Sequence, residues 1–429
     1  MKVMVVGGGG REHALVHALN RSSQVTEVFC TPGNAGIARD ANCLDIGADE
    51  VDDLLRLAHD QHIALTVVGP EAPLIAGIVD AFLAEELPIF GPSAAAARLE
   101  GSKIYAKELM ATAGVPTARH RALHSHAEAL DQIQRSSYPT VLKADGLAAG
   151  KGVVVATTYE EARAAIDLFF VEQRFGEAGS LVVMEELLEG EELSLLAVCD
   201  GKNVVPLASA QDYKRIFDDD RGPNTGGMGS YSPVAGFDSE RLAQIVVQVH
   251  QPIVDELRNR GTPFHGVLYA GLMVTTDGPR VLEFNCRFGD PEAQAVLPRL
   301  KSDLADLMLR STRSGGLADV ELEWAPEWAT TVVMASRGYP ESSSKGDRIT
   351  GIDKATAAIG VEITHAGTAL VEGEFVTAGG RVLAVTALGD SPAAARERAY
   401  CAADMVSFAG KQQRSDIAAR AVERVQEVA

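Results

Sequence analysis

The sequence predicts an α/β and α+β protein: an N-terminal doubly wound parallel sheet, mixed central domains and a small C-terminal domain. Three observations carry this. The chain has 429 residues, more than one hydrophobic core accommodates. Strand-like and helix-like segments alternate over residues 1–93, as in a parallel sheet covered on both faces. Two long apolar stretches, 192–208 and 266–285, each contain an Asp-Gly pair, a strong hairpin signal.

KVMVV (2–6) reads as a short buried strand that runs into four glycines. REHALVHALNRS has helical spacing, and VTEVFC (25–30) is a second strand ended by TPGNAG. A helix at about 51–61, the strand IALTVVG (63–69), the loop PEAP, a helix at about 74–86 and PIFGPS complete the unit. The turns GGGGRE (7–12), PGNAG (32–36) and GPEAP (69–73) fall at the carboxyl ends of strands, where such sheets bind ligands. Residues 101–115 form a helix that Gly114 and Pro116 stop.

From 117 to 190 lies a small α/β unit: a strand at 139–144, a glycine loop, the strand VVVA, a helix at 159–171 and the strand SLVVMEEL. Residues 191–325 look more antiparallel, with the two hairpins and a long helix at 238–260 between them. The remainder holds strands at about 328–336 and 381–387 and a closing helix. The expected division is 1–100, a linker helix at 101–122, a lid unit at 123–190, a main unit at 191–325 and a C-terminal domain at 326–429.

The composition is 46% hydrophobic and 23% charged, that of an ordinary globular protein. The formal net charge of −20 argues against nucleic-acid or anionic-membrane partners, which reward basic surfaces. A phosphorylated ligand stays possible, because a few cations and backbone amides suffice to hold one. No apolar run is long enough to cross a bilayer or to form a signal-peptide core. Cysteines at 30, 43, 199, 286 and 401 have no CxxC spacing and suit reduced thiols in the cytoplasm.

The first glycine cluster fails as a dinucleotide fingerprint: Glu12 stands where the third glycine belongs. Another phosphate at this helix N-terminus, or a plain tight turn, remains. LKADGLAAGKGVVVA (142–156) is not a Walker A motif either. Asp145 replaces its first glycine, Gly152 follows Lys151, and the loop leads into a strand. It suits a strand–loop–strand lid over a triphosphate, or a flexible hairpin tip. Lys143 precedes it on a strand, and MEELLEGEELS places Glu185, Glu186 and Glu192 beyond another strand.

VLEFNCRFGDPE (281–292) carries the strongest chemical signal. Glu283 and Asn285 alternate on a strand and share a face. Carboxylate plus amide oxygen is hard-cation chemistry, suited to Mg²⁺ on nucleotide phosphates. Arg287 continues that face as an anion clamp; a buried structural Glu–Arg pair is the alternative. QDYKR (211–215) and RGPNTGGMGSYSP (221–233) form a polar glycine-rich loop, for ligand contact or for solvent.

Lys143 with its glycine lid, the EELLEGEE segment and Glu-x-Asn on a late strand together resemble the ATP-grasp enzymes. Those enzymes clamp ATP between two α+β units and form acyl phosphates. GGGGREHAL, PGNAG, VVGPEAPL, GPS…LEGSK, KADGLAAGKGV, QDYKR, GPNTGGMG and EFNCRFGDPE, in this order, narrow the resemblance to the phosphoribosylamine–glycine ligase family over nearly the whole chain. It implies ATP-grasp central domains and the reaction ATP + glycine + 5-phosphoribosylamine → glycinamide ribonucleotide + ADP + phosphate. That is the second step of de novo purine synthesis, with glycyl phosphate as intermediate.

The resemblance also implies site residues. Lys103, Lys143, Gly150, Lys151, Gly152, Glu185, Glu186, Leu188 and Glu192 would contact ATP. Gly9, Asn34 and Glu71 would face phosphoribosylamine, and Glu283 and Asn285 would hold Mg²⁺ or Mn²⁺. Asp212, Lys214 and Arg287 are candidates for glycine, with Arg287, Asp212 and Lys143 as catalytic groups. Many ATP-grasp members carry a further acid on the preceding strand; here Gly271 stands in that place. A monomer is expected, since no heptad or apolar stripe announces an interface.

Three other readings compete. A formate- or bicarbonate-using ATP-grasp enzyme of the same pathway would lack the QDYKR…GPNTGGMG block. A nucleotide sensor without turnover need not keep Glu283, Asn285 and Lys143 together. A nicotinamide-dependent reductase is opposed by Glu12.

If Lys143 holds phosphate from a rigid strand and Lys151 from a mobile lid, Lys143→Ala lowers kcat more than Lys151→Ala. Steady-state ADP release by the two variants checks this, and the reverse order would relocate the phosphates.

Overall fold

The computed structural model describes residues 1–148 and 152–428, the last two as backbone only. The first five strands, Lys2–Gly7, Glu27–Pro32, Asn42–Cys43, Leu65–Val68 and Ile89–Phe90, form a parallel sheet. Its spatial order is 3-2-1-4-5 by chain position, so the order reverses beside the first strand. The unbroken apolar run of that strand follows from cover on both faces. Val3 and Val5 pack with Leu15 and Leu19, while Met4 and Val6 pack with Leu54 and Phe82. The single helix expected near 74–86 is two helices, Glu71–Ala76 and Ile78–Ala84. Gly77 breaks it with a φ of +93°, a conformation that favours glycine.

The helix Lys103–Ala113 ends at Gly114 as expected, and Ser102 caps its start by accepting the Tyr105 N–H at 3.1 Å. Next comes a four-stranded antiparallel sheet of His120–Leu123, Val182–Glu186, Thr140–Ala144 and Val153–Ala156, in that spatial order. Helices His126–Gln134 and Tyr159–Phe170 bury one face of it. This sheet begins inside the stretch expected to be linker.

The main sheet holds Val204–Pro206, Glu191–Asp200, His265–Thr275 and Gly278–Asn285, all antiparallel, with both Asp-Gly hairpins where expected. The long helix is Ser239–Ile245 and Gln251–Asn259 joined by a π turn, Val246–His250. Pro252 follows that turn and has no N–H to give to it, which a widened turn accommodates.

The last large sheet crosses the expected boundary at residue 325. Gln211–Asp212 and Gly229–Ser232 pair into it beside Trp328–Ala335, Arg381–Gly389 and Val361–His365. The second half of the expected polar loop is therefore a buried strand. Its polar groups find partners: Tyr231 Oη donates to Gln211 Oε1 at 2.6 Å, and Arg299 donates to Ser232 Oγ at 2.8 Å. Helix Pro392–Met405 covers this sheet with alanines 395, 399, 402 and 403. No helix among the described residues is long and apolar enough to cross a membrane.

The first helix, Gly10–Asn20, packs against strand Val361–His365 and joins the two ends of the chain. His13 and His17, one turn apart, both reach Asp40 Oδ2, at 2.9 and 3.3 Å. The group has the makings of a metal site, but the His365 N–H donates to His13 Nδ1 at 2.8 Å. His13 Nε2 must then carry the proton and is a donor, not a ligand. His17 Nδ1 also lies 3.6 Å from Glu362, which binds Arg21 at 3.0 Å. Burial pulls the His17 pKa down, but the hydrogen bond to Asp40 and the nearby Glu362 carboxylate outweigh it and raise it to about 9.

A histidine whose pKa rises on folding contributes stability fully present below its unfolded value, ~6.5. That contribution is lost as pH climbs through about 9. His17→Gln should flatten this part of the curve, so that the parent loses about 1–3 °C more in Tm between the two pH limits. Parallel melting curves would show that His17 carries no such charge.

Candidate active site

Strands His265–Thr275 and Gly278–Asn285 set the first groups. Their register places Gly271 opposite Glu283 and Tyr269 opposite Asn285. Leu272 then pairs with Val281, so Leu282 is an extra residue on its strand. Such a bulge takes one residue out of the ladder and often lies beside a site. Here the Leu282 carbonyl accepts from Lys143 Nζ at 3.0 Å, which ties the small antiparallel sheet to the main one. A Cβ on Gly271 would come 3.4 Å from Glu283 Cγ, an ordinary packing contact.

Around Glu283 the expected cations converge. Lys214 Nζ lies 3.8 Å from Glu283 Oε1 and 3.5 Å from Glu192 Oε2. Burial pushes the Glu283 pKa up, yet Lys214, Lys143, Lys103 and Arg287 together hold it below the usual carboxylate range. The group is therefore ionised. Burial lowers the pKa of Lys103, partly offset by Glu283. Its Nζ donates to the Gly146 carbonyl at 3.2 Å, so the base of the glycine loop rests on the start of the 103–113 helix. Asp145 reinforces the join by accepting the Ile104 N–H at 2.7 Å and the Ser102 hydroxyl.

The structure revises several expectations. The Glu185 side chain does not face an open cleft: it lies between Lys143 and Lys107, each at 2.9 Å, with all three nearly buried. Losing one partner of such a group costs about 3–5 kcal/mol, so the carboxylate fixes two lysines. Glu186 holds exposed Arg119 at 2.6 Å. Leu188 sits in the connection between strands Val182–Glu186 and Glu191–Asp200. A Cβ on Gly152 would lie 2.6 Å from that of Ala148. Gly150 and Lys151 fall outside the described residues.

At the N-terminal turns, Asn34 has no group left for a ligand. Its amide donates to the carbonyls of Gly8 and His365, both at 2.9 Å. Its oxygen accepts from Gly36 and Ile37. The side chain shapes the loop and pins it to the C-terminal strand. The Gly9 N–H likewise donates to Glu12 Oε2 at 2.6 Å, so Glu12 rather than a phosphate occupies that position. Glu71, expected to face phosphoribosylamine, meets Arg287 at 3.2 Å from a distant turn.

Sequence reading missed three contributors. Glu100, buried, binds Arg287 at 3.0 Å and accepts the Cys286 N–H at 2.7 Å. Lys107 stands four residues after Lys103, one helical turn, and that spacing was the available signal. Glu292 accepts from Ser194 Oγ at 3.3 Å, and Ser194 meets Tyr269 Oη at 3.0 Å. Near this trio burial raises Asp212 to about 8; Lys214 opposes the rise, and Glu292, Glu192 and Glu283 add to it. The result is a cationic zone around Glu283 beside an acidic one at Asp212 and Glu292. Phosphates suit the cations of the first, and a cation arriving at the second would draw Asp212 back into its ionised form.

Three family models match the chain: the phosphoribosylglycinamide synthetase N domain over residues 1–100, its ATP-grasp (A) domain over 101–293 and its C domain over 329–420. A phosphoribosylamine–glycine ligase of Streptomyces coelicolor is 51% identical over 98% of this chain and 99% of its own. One of Caldanaerobacter subterraneus subsp. tengcongensis is 47% identical over 98% and 100%. The crystal structure of phosphoribosylamine–glycine ligase from Thermotoga maritima is 35% identical, covers 97% of this chain and 100% of its own, and superposes with a TM-score of 0.82. A biotin carboxylase domain from Hydrogenobacter thermophilus, 16% identical with a TM-score of 0.71 over 96% of this chain and 91% of its own, shares the fold alone. With its three segments matched in order and 98% of its length covered by these relatives, the chain belongs to the phosphoribosylamine–glycine ligase family of ATP-grasp proteins.

Proposed function

We propose that this ATP-dependent carbon–nitrogen ligase joins glycine to 5-phosphoribosylamine, giving glycinamide ribonucleotide, ADP and phosphate through glycyl phosphate. The observation that carries this is the match of all three segments to this family, in a chain that sets Lys214 3.8 Å from Glu283 and bonds Lys143 to the adjoining Leu282 carbonyl. Glycine's carboxylate must attack a triphosphate, and two anions repel. Fixed cations offset that repulsion, and positioning supplies most of the remaining acceleration.

Lys143 and Lys103 hold the phosphates from two different elements. Glu185 keeps Lys143 in place rather than touching the nucleotide itself. The backbone near Glu186 and Leu188 takes the adenine edge, and Glu192 takes the ribose. Gly150, Lys151 and Gly152 close over the triphosphate. Asp212, with Glu292, receives glycine's ammonium; Lys214 and Arg287 orient its carboxylate. Glu71 and Glu100 hold the Arg287 guanidinium so that its plane is set before substrate arrives. Gly9, Glu71 and the loop that Asn34 shapes face phosphoribosylamine. Asn285 and ionised Glu283 are hard oxygen donors on one strand and fit Mg²⁺ or Mn²⁺, which supplies charge neutralisation at the phosphate oxygens. In this reading the 123–190 unit is the lid, and the enzyme acts as a cytoplasmic monomer on small molecules.

ADP release is the test. Steady turnover should need ATP, glycine and phosphoribosylamine, the last made in the cuvette from ribose 5-phosphate and ammonia. Turnover with formate or bicarbonate in place of glycine would move the enzyme to a neighbouring step. Glu283→Gln keeps side-chain volume and removes charge, so kcat should fall about 100-fold or more with the melting curve little changed. Near-normal turnover in that variant would sink the metal assignment.

A further inference from the structure

Arg414 is the largest fully buried side chain of the described residues, and no step assigned so far uses it. Its Nε and one terminal nitrogen donate to both oxygens of Asp416, at 2.7 and 2.5 Å. Its other terminal nitrogen donates to Asp220 Oδ1 at 2.9 Å and to the Arg215 carbonyl at 3.1 Å. Removing a guanidinium from water is costly, and here the hydrogen bonds it makes go to two segments: the 414–418 stretch and the hairpin of strands Arg215–Phe217 and Arg221–Asn224.

Further bonds bind the same two segments. Ser415 N–H donates to Asp218 Oδ1 at 2.7 Å, and Asp219 N–H donates to Asp416 Oδ2 at 3.0 Å. Asp219 and Asp220 have φ of +58° and +52°, which non-glycine residues adopt only when held there.

The hairpin is continuous with QDYKR. The Arg414 guanidinium lies 4.8 Å from the centroid of the Tyr213 ring, a cation–π contact. Tyr213 Oη accepts the Ala418 N–H at 3.0 Å. Neighbouring residues of an extended chain point to opposite sides. Tyr213 faces the C-terminal segment, and Asp212 and Lys214, on either side of it, face Glu192 and Glu283.

We propose that Arg414 is a positioning residue for the ligase: through Tyr213 it sets where Asp212 and Lys214 stand, so that glycine binding depends on the 414–418 segment. This rests on the reading of Asp212 and Lys214 as glycine-binding groups.

The test measures KM for glycine and for ATP in Arg414→Ala, Arg414→Lys and Asp212→Asn. Misplacing a binding group by about an ångström costs one to two orders of magnitude. Arg414→Ala should therefore raise the glycine KM about tenfold or more and leave the ATP KM within about twofold. Arg414→Lys should recover part of this, since a lysine keeps charge but not the two-pronged grip. Trypsin should also cut faster after Lys214, Arg215 or Arg221 in Arg414→Ala.

An unchanged glycine KM in both Arg414 variants, while Asp212→Asn raises it, overturns the proposal. So does a loss shared equally by both substrates, the mark of a merely structural role. If Asp212→Asn leaves the glycine KM alone, the glycine reading itself has failed and the proposal falls with it. Should Arg414→Ala not fold, Arg414→Lys and Asp220→Asn carry the measurement, since Asp220 is partly exposed and contributes only one of the contacts.

Discussion

Lys143 is the residue on which the rest of the site depends, because it belongs to two units at once. Its backbone lies in the small antiparallel sheet, while its ammonium donates to a carbonyl that a bulge turns out of the main sheet. Glu185 holds the same ammonium and, through Lys107, joins it to the helix Lys103–Ala113. Two sheets and one helix thus meet on a few buried charges. An apolar contact could bring these elements together, but it would not fix the direction of a cation. Directional hydrogen bonds to a charged group do, and they are among the stronger polar contacts available.

The chain is acidic overall, yet its centre is locally cationic. Glu283 shows how the balance is struck. Burial alone would protonate it, and the surrounding lysines and Arg287 reverse that outcome. Asp212, with Lys214 alone as its first opposing cation, goes the other way and rises to about 8. Two carboxylates close together in the fold are thus pushed apart in pKa by their neighbours. Such separation keeps Glu283 charged among its lysines, while Asp212 holds its proton until a further cation approaches.

The ends of the chain also matter. Asn34 joins the second glycine turn to His365, and the His13–His17–Asp40 group ties the first helix to the same C-terminal strand. Arg414 makes an equivalent connection to the QDYKR segment. The C-terminal domain is in this way a frame that holds loops belonging to other units.

The sequence by itself determined the parallel N-terminal sheet, the two Asp-Gly hairpins and the pairing of Glu283 with Asn285. Each follows from a local period or turn, which needs no knowledge of distant residues. It also marked Lys143 and Arg287 through motifs whose residue types suit phosphate and anions, and Lys103, Lys214 and Glu71 through the family resemblance. Only the tertiary structure decided what those side chains touch. Glu185 was read as a nucleotide contact and proves to sit between two lysines. Asn34 was read as a substrate group and spends all its bonds on the backbone. Glu100 lies inside a motif that does not say what it binds, Lys107 offers only its spacing from Lys103, and Arg414 lies in no motif, because their importance comes from burial and from partners brought close by the fold. Hydrogen-bond saturation and desolvation depend on three-dimensional neighbours, and no periodicity along the chain encodes them.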